Sequence, residues 1–196
     1  MARPRANIDT AALADAFAGD GLRGTSSATL ALALGIAKPT LYVHGQSKAA
    51  LFLRAVEAEV ERVLDRLHAA EAATAGRSAR DRAIGSAEAL LAHAGARPLG
   101  ARLLYSTAPH RTSAVADSVE AALRRPRSRI EGGLTRDLAA DGLDPSRAPL
   151  YARALHGAAV TLALDGGAPR TARPVLAALA AAVVPLPAQA TPWPVP

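Results

Sequence analysis

An all-α fold is predicted from three observations. Half of the 196 residues are apolar but only 3% are aromatic, so the core must be built from small and aliphatic side chains. Alanine and leucine dominate while β-branched residues are few, which favours helix over strand. Apolar residues also recur at helical spacing in successive segments. The predicted architecture is a small N-terminal three-helix module followed by a larger C-terminal helical bundle.

Residues 1–6, with Arg3, Pro4 and Arg5, read as a loose basic arm. A first helix is expected over about 8–18, with Ile8, Ala12, Leu13 and Phe17 on one stripe. "GDGLRG" (19–24) then breaks it. In "SSATLALALGI" (26–36), Leu30, Leu32, Leu34 and Ile36 alternate as they would in a strand. The intervening alanines favour a helix, and Ser26 or Ser27 supplies its N-cap. A short third helix starts near Lys38, with Pro39 in the first turn where a missing N–H costs nothing, and ends at Gly45.

Ser47 can cap a longer fourth helix with Leu51, Val56, Val60, Val63 and Leu67 along one side. Its Arg54, Glu57, Glu61, Arg62, Asp65 and Arg66 read as a solvated face, and Glu59 is grouped with Glu57 and Glu61 on that face. After a loop at 72–78, helices are expected at about 79–94, 98–107, 113–124, 127–141, 146–164 and 171–184. The Arg124, Arg125, Arg127, Arg129 run falls at a solvated junction around Pro126. The tail "PLPAQATPWPVP" has five prolines in twelve residues and should be extended or disordered. The expected domains are 1–53, with a helix-turn-helix at about 26–45, then 54–185, then a Pro-rich tail at 186–196.

Composition removes several function classes. With no cysteine there is no disulfide framework, thiolate metal site or thiol nucleophile. "GDGLRG" matches G-x-G-x-x-G in letters, but a helix precedes it and no acid follows until Glu57, so a dinucleotide site is not expected. His68, His93, His110 and His156 are scattered, no G-x-S-x-G is present, and no cofactor, metal or enzymatic activity is expected. No signal peptide opens the chain. The longest apolar run, 175–184, is far short of the roughly 20 residues needed to span a bilayer. A soluble cytoplasmic protein with no membrane partner is expected. The net charge of +6, from 23 basic and 17 acidic residues, suits a polyanionic partner.

The stretch "GIAKPTLYVHGQSK" (35–48) concentrates the rarer polar residues, including both lysines of the chain. Two short helices joined by a tight glycine turn form a helix-turn-helix candidate. Ala31 allows the helices to cross closely, Gly35 suits a left-handed turn, and Leu30, Leu34, Ile36 and Leu41 supply the apolar knot. Lys38, Pro39, Thr40, Tyr42 and His44 then face outward or lie at the rim, where a DNA reader keeps its contacts. From Gly21 to Arg54 there is no acidic residue, while Arg23, Lys38, Lys48 and Arg54 contribute four positive charges.

On these residues, 8–53 resemble the DNA-binding domain of the tetracycline-repressor (TetR) family of bacterial transcription regulators. "AFAGDGLRGTSSATLALALGIAKPTLYVHGQSKAAL" carries the likeness, and "KPTLYVH" is close to the recognition helix of the tetracycline repressor. Departures from the family pattern fall at Ala28, Ala37 and Gly45. The resemblance implies that Lys38, Pro39 and Thr40 approach base edges, with Lys38 on guanine, and that Tyr42, His44 and Lys48 hold phosphates. Ser27, at the start of the preceding helix, joins this DNA-binding set.

The helices at 146–164 and 171–184 are apolar around most of their circumference and must be buried on more than one face. In the family such helices form the four-helix bundle of a homodimer, here through about 146–184. The helices between would enclose a small-molecule effector, with His93, Arg102, Leu103, Tyr105, His110 and Tyr151 as candidate ligand-binding residues. The resemblance implies a ligand-responsive repressor of a near-palindromic operator. An activator of the same fold, or a helical carrier or enzyme using the bundle cavity, stands as the alternative.

Overall fold

A computed structural model describes residues 8–42, 47–106, 115–165 and 169–186. Among them no strand forms. The helices are α1 (Thr10–Phe17), α2 (Gly21–Gly24), α3 (Ser27–Ala33), α4 (Lys38–Tyr42), α5 (Lys48–Ala73) and α6 (Ala79–Ala96). They continue as α7 (Pro98–Tyr105), α8 (Ala116–Ala140), a 3-10 turn at Pro145–Arg147, α9 (Ala148–Leu164) and α10 (Pro169–Val183). The all-helical class is as expected. By internal packing the chain divides into two compact units, one of Met1–Arg62 with Arg97–Leu123, the other of Val63–Ala96 with Arg124–Pro196. The long helices α5 and α8 contribute residues to both.

In the first unit, Asp9 caps α1, its carboxylate accepting from the Ala11 and Ala12 amides at 2.8 and 3.2 Å. Those two amide bonds hold its carboxyl below the usual carboxylate range. Leu13, Phe17, Leu30, Leu41, Leu51 and Phe52 are buried together in this unit's core. The chain's two phenylalanines meet edge to face, ring centroids 5.1 Å apart, a geometry contributing about 0.5–1.5 kcal/mol beyond area burial. "GDGLRG" contains more than a break, since Gly21–Gly24 forms the short helix α2.

The helical reading of residues 26–36 holds for a physical reason. Ser26 Oγ accepts from the Thr29 amide at 3.0 Å, which satisfies an otherwise unpaired helix-start donor. Leu30 is then fully buried while Leu32 is 83% exposed, so the alternating leucines do not share one face.

Two expectations are corrected. Glu59 is not on a solvated face: its side chain is fully buried. Its Oε1 accepts from Arg62 Nη1 at 3.0 Å and from Arg97 Nη2 at 2.8 Å. Burying a carboxylate costs several kcal/mol unless it is paired and hydrogen-bonded, and two guanidiniums supply the offset here. Glu57 and Glu61 are exposed as expected. The second correction concerns Pro126, which does not divide two helices but lies inside α8. Val119, Ala122, Pro126, Ile130, Leu134 and Leu138 are all buried at three- and four-residue spacing, so the apolar stripe runs through the proline in phase. Tertiary burial of that stripe outweighs the lost backbone hydrogen bond.

In the second unit α6 packs on α9 and α10, and α9 on α10. Asp141 accepts from the amide of Ala79 at 2.7 Å and so caps the start of α6. Arg80 Nε donates to the Val184 carbonyl at 2.7 Å and ties down the end of α10. Arg82 pairs with Asp137 at 2.8 Å; burial nevertheless pushes the Asp137 carboxyl upward, against the pull of the Arg82 charge. Alanines 79, 83 and 87 line the buried side of α6, which lets its neighbours approach closely without large side chains.

Glu71 and Arg129 join α5 to α8 within this unit, Arg129 Nε donating to Glu71 Oε1 at 2.8 Å. The Arg129 hydrogen bond holds the Glu71 carboxyl below its ordinary value. A depressed carboxyl contributes stability above its unfolded pKa and loses it as pH falls through the folded one. Glu71→Gln should therefore lower stability at neutral pH by about 1 kcal/mol or less, because solvent screens the half-exposed guanidinium. The gap to wild type should close in acid, as thermal melts below the ordinary carboxylate range would show. A gap that stays constant with pH would exclude this ion pair as its source.

Candidate nucleic-acid interface

The geometry of α3, α4 and the start of α5 decides what this region can touch. Helix α3 ends at Gly35, whose φ of +64° is a left-handed conformation that costs glycine nothing. The amides of Gly35 and Ile36 return to the carbonyls of Leu32 and Ala31, at 3.1 and 3.0 Å, closing a Schellman-type cap. Ala31 is 6% exposed at the crossing and α3 packs on α4, as its small side chain requires. Within α4 only Leu41 is buried. Its burial leaves Lys38, Pro39, Thr40 and Tyr42 on the exposed side of a five-residue helix.

Ser27 and Tyr42 are hydrogen-bonded to each other through their hydroxyls, joining the start of α3 to the end of α4. Whichever hydroxyl donates within the pair, the other proton is left for an outside acceptor. The two residues therefore form one polar unit rather than two separate contacts.

Lys48, half-buried at the start of α5, has a role that periodicity did not reveal. Its ammonium donates to the carbonyls of Thr25 at 3.1 Å and Arg23 at 3.5 Å. A lysine ammonium has three donors, so one remains for a further acceptor after these two. The tie holds a positive charge beside the segment that leads into α3. Ser47 Oγ accepts from the Ala50 amide at 3.1 Å, which caps α5 as its sequence suggested. Of the expected DNA-facing residues, Ser27, Lys38, Pro39, Thr40, Tyr42 and Lys48 lie in this region. His44 and the turn residue Gly45 lie outside the described residues.

The expected effector residues fall in both units. His93 and Tyr151 are buried in the second unit. In the first, Leu103 is buried and Arg102 exposed, while Tyr105 is half-buried with its hydroxyl inside, where burial pushes the phenol above its ordinary value. His110 lies outside the described residues. Among the described residues, the second unit holds at least two cavities. One, of about 10 Å³, lies beside the Arg82–Asp137 pair and is the size of a single water; the other is an alanine-walled groove of about 330 Å³ between α5 and α6. None of the five described residues lines either. Among the described residues no group of three or more His, Asp or Glu is placed to hold a metal ion, and no helix is long and apolar enough to cross a membrane.

Comparison with known proteins agrees with this geometry. Residues 10–55 match the family described as "Bacterial regulatory proteins, tetR family". No curated protein matches the chain by sequence. Among solved structures, the chain is similar to a TetR-like transcriptional regulator from Rhodococcus sp. RHA1, at 25% identity and a TM-score of 0.70, over 87% of this chain and 90% of that one. It shares its fold with the TetR family transcriptional regulator CifR bound to a 26 bp double-strand operator, at 24% identity and a TM-score of 0.69, over 93% of this chain and 100% of that one. It also shares its fold with the fatty acid degradation regulator FadR of Bacillus halodurans, at 13% identity and a TM-score of 0.70, over 88% and 96% of the two chains. Residues 10–55 thus carry a DNA-binding domain of the TetR family on an exposed helix-turn-helix, and the chain has the fold of TetR-type transcriptional regulators over most of its length.

Proposed function

We propose that this regulator is a homodimeric, ligand-responsive repressor acting in the bacterial cytoplasm. The domain limits we adopt are 1–53 for DNA binding, 54–185 for effector binding and dimerisation, and 186–196 for the Pro-rich tail. The observation that carries the reading is α4, which buries one leucine and leaves Lys38, Pro39 and Thr40 exposed in a region without acidic residues. Two such helices, about 34–36 Å apart, would enter successive major grooves of a near-palindromic operator. Lys38, Pro39 and Thr40 would meet base edges, with Lys38 on guanine O6 and N7, while the Ser27–Tyr42 pair, His44 and Lys48 would hold phosphates.

Dimerisation through about 146–184 is supported by what α9 and α10 leave uncovered. Leu150 is 64% exposed and Val175 53% exposed, although both helices already bury a full apolar stripe. A second copy would cover these faces. A small-molecule effector would release the operator only by binding the DNA-incompetent state more tightly, tenfold preference amounting to about 1.4 kcal/mol. His93, Arg102, Leu103, Tyr105, His110 and Tyr151 are the residues we propose for it. Support for an effector comes from family likeness, and a retained mobility shift in the presence of every compound that affects the neighbouring genes would count against it.

The decisive experiment is a mobility-shift assay with DNA from upstream of the protein's own gene region, where a discrete complex is expected. Lys38→Ala should lower operator affinity by about 1–3 kcal/mol and relax preference at one base pair per half-site. A uniform loss across an operator library varied base by base would reassign Lys38 to phosphate.

Lys48→Ala should weaken specific and nonspecific binding alike and flatten the salt dependence by about one unit of slope. It should also lower the melting temperature, because the ties to the Arg23 and Thr25 carbonyls are lost. A lower melting temperature with an unchanged slope would leave Lys48 a purely structural tie.

Val175→Arg places a charge on the exposed face of α10, so the single chain should still fold. In light scattering it should convert dimer to monomer, since an unpaired interfacial charge would be desolvated. An intact dimer would remove this face of α10 from the interface.

A further inference from the structure

Arg97 lies outside residues 10–55, the segment that matches the DNA-binding family. Its guanidinium nevertheless joins three helices of the first unit. Nη2 donates to Asp15 Oδ1 at 2.8 Å and to the Ala11 carbonyl at 3.2 Å, both on α1. The same nitrogen reaches Glu59 Oε1 on α5 at 2.8 Å, and Nε reaches that oxygen at 3.2 Å. Arg97 is itself the N-cap residue of α7. From the other side of Glu59, Arg62 Nη2 donates to Thr10 Oγ1 at 2.8 Å. Helix α1 is thus gripped at residues 10, 11 and 15 by two arginines that share one fully buried carboxylate.

Space for that carboxylate depends on Gly100. A Cβ there would lie 2.6 Å from Glu59 Cδ, closer than real Cβ atoms come, so a larger residue must shift the carboxylate away from its guanidinium partners or move α7. A planar guanidinium is also needed at position 97. An ammonium is a compact point charge and cannot present a fixed fork to acceptors on two helices.

The consequence reaches the DNA-facing residues by packing. Helix α1 packs on α3, and α3 on α4. The start of α5, three turns before Glu59, carries Lys48. The angle between α4 and the start of α5 therefore depends on how α1 is seated on α5. We propose that Arg97 is a positioning residue for sequence-specific DNA binding, which seats α1 on α5 and so fixes α4 in register with the phosphate contacts. The inference rests on the reading that α4 meets base edges.

The test uses the full chain and a duplex carrying one half-site selected by the wild-type protein from random DNA, with a scrambled duplex as control. Arg97→Met should lose about tenfold or more in half-site affinity, the equivalent of roughly one base contact. Binding to the scrambled duplex should stay within about twofold with the same salt slope, because every phosphate-facing lysine and hydroxyl is kept. Arg97→Lys should recover only part of the loss, and Gly100→Ala should behave like Arg97→Met. If Arg97→Met fails to fold by circular dichroism, Arg97→Lys and Gly100→Ala carry the same readout.

A purely structural role would lower the melting temperature and leave the ratio of specific to scrambled binding unchanged, and that outcome overturns the proposal. A wild-type protein with no half-site preference would instead sink the base-reading role of α4, and the inference with it.

Discussion

A five-residue helix cannot hold itself together in water, because the first turn fixes several backbone dihedrals for a single hydrogen bond. Helix α4 is such a helix, and the first unit is organised around keeping it in place while leaving it bare. Leu41 is its one buried anchor. The left-handed turn at Gly35 sets where it begins, the Ser27–Tyr42 bond secures its far end to α3, and Lys48 fastens the segment ahead of α3. Each restraint uses a different chemistry. Together they leave most of one side of α4 free of intramolecular partners, which a DNA-reading surface requires.

Charge inside the first unit follows a different logic from charge on its surface. Asp15, Glu59, Arg62 and Arg97 form a balanced group of two acids and two bases around one fully buried carboxylate. A buried group of this kind is a weak source of net stability, since desolvation offsets much of the attraction. Its contribution is geometric, because the directional bonds of Arg62 and Arg97 tie α1, α5 and the start of α7 to one another. An apolar contact of the same size would tolerate sliding. Lys38 follows the opposite pattern, exposed on α4 in a stretch without acidic residues.

The second unit shows what an alanine-rich chain does without aromatic bulk. Alanines 79, 83, 87, 152, 159, 172 and 180 are buried, so helices approach closely and large side chains are few. The cavity beside Arg82 and Asp137 is the size of one water, while alanines on α5 and α6 wall a wider groove of about 330 Å³. Broad apolar helices such as α9 and α10 cannot hide every face within one chain when their neighbours are this slim. Leu150 and Val175 are left exposed by that arithmetic of surface rather than by any local irregularity.

The sequence by itself determined the helical class, the position of the helix-turn-helix and its exposed residues. Those features depend on local rules: alanine and leucine propensity, the Ser26 and Ser47 caps, the turn at Gly35, and the spacing of Leu30 and Leu41. The stripe of Leu51, Val56, Val60, Val63 and Leu67 on α5 was legible for the same reason, and all five are buried. Only the tertiary structure decided the fate of Glu59, which sits among charged residues in sequence but opposite Gly100 and Arg97 in space. Partners 38 and 41 positions away leave no periodic signature. Continuity of α8 through Pro126 was likewise decided by burial, although the in-phase stripe from Val119 to Leu138 was a signal available beforehand. The tie of Lys48 to the Arg23 and Thr25 carbonyls could not be read from spacing, because backbone carbonyls are carried by every residue.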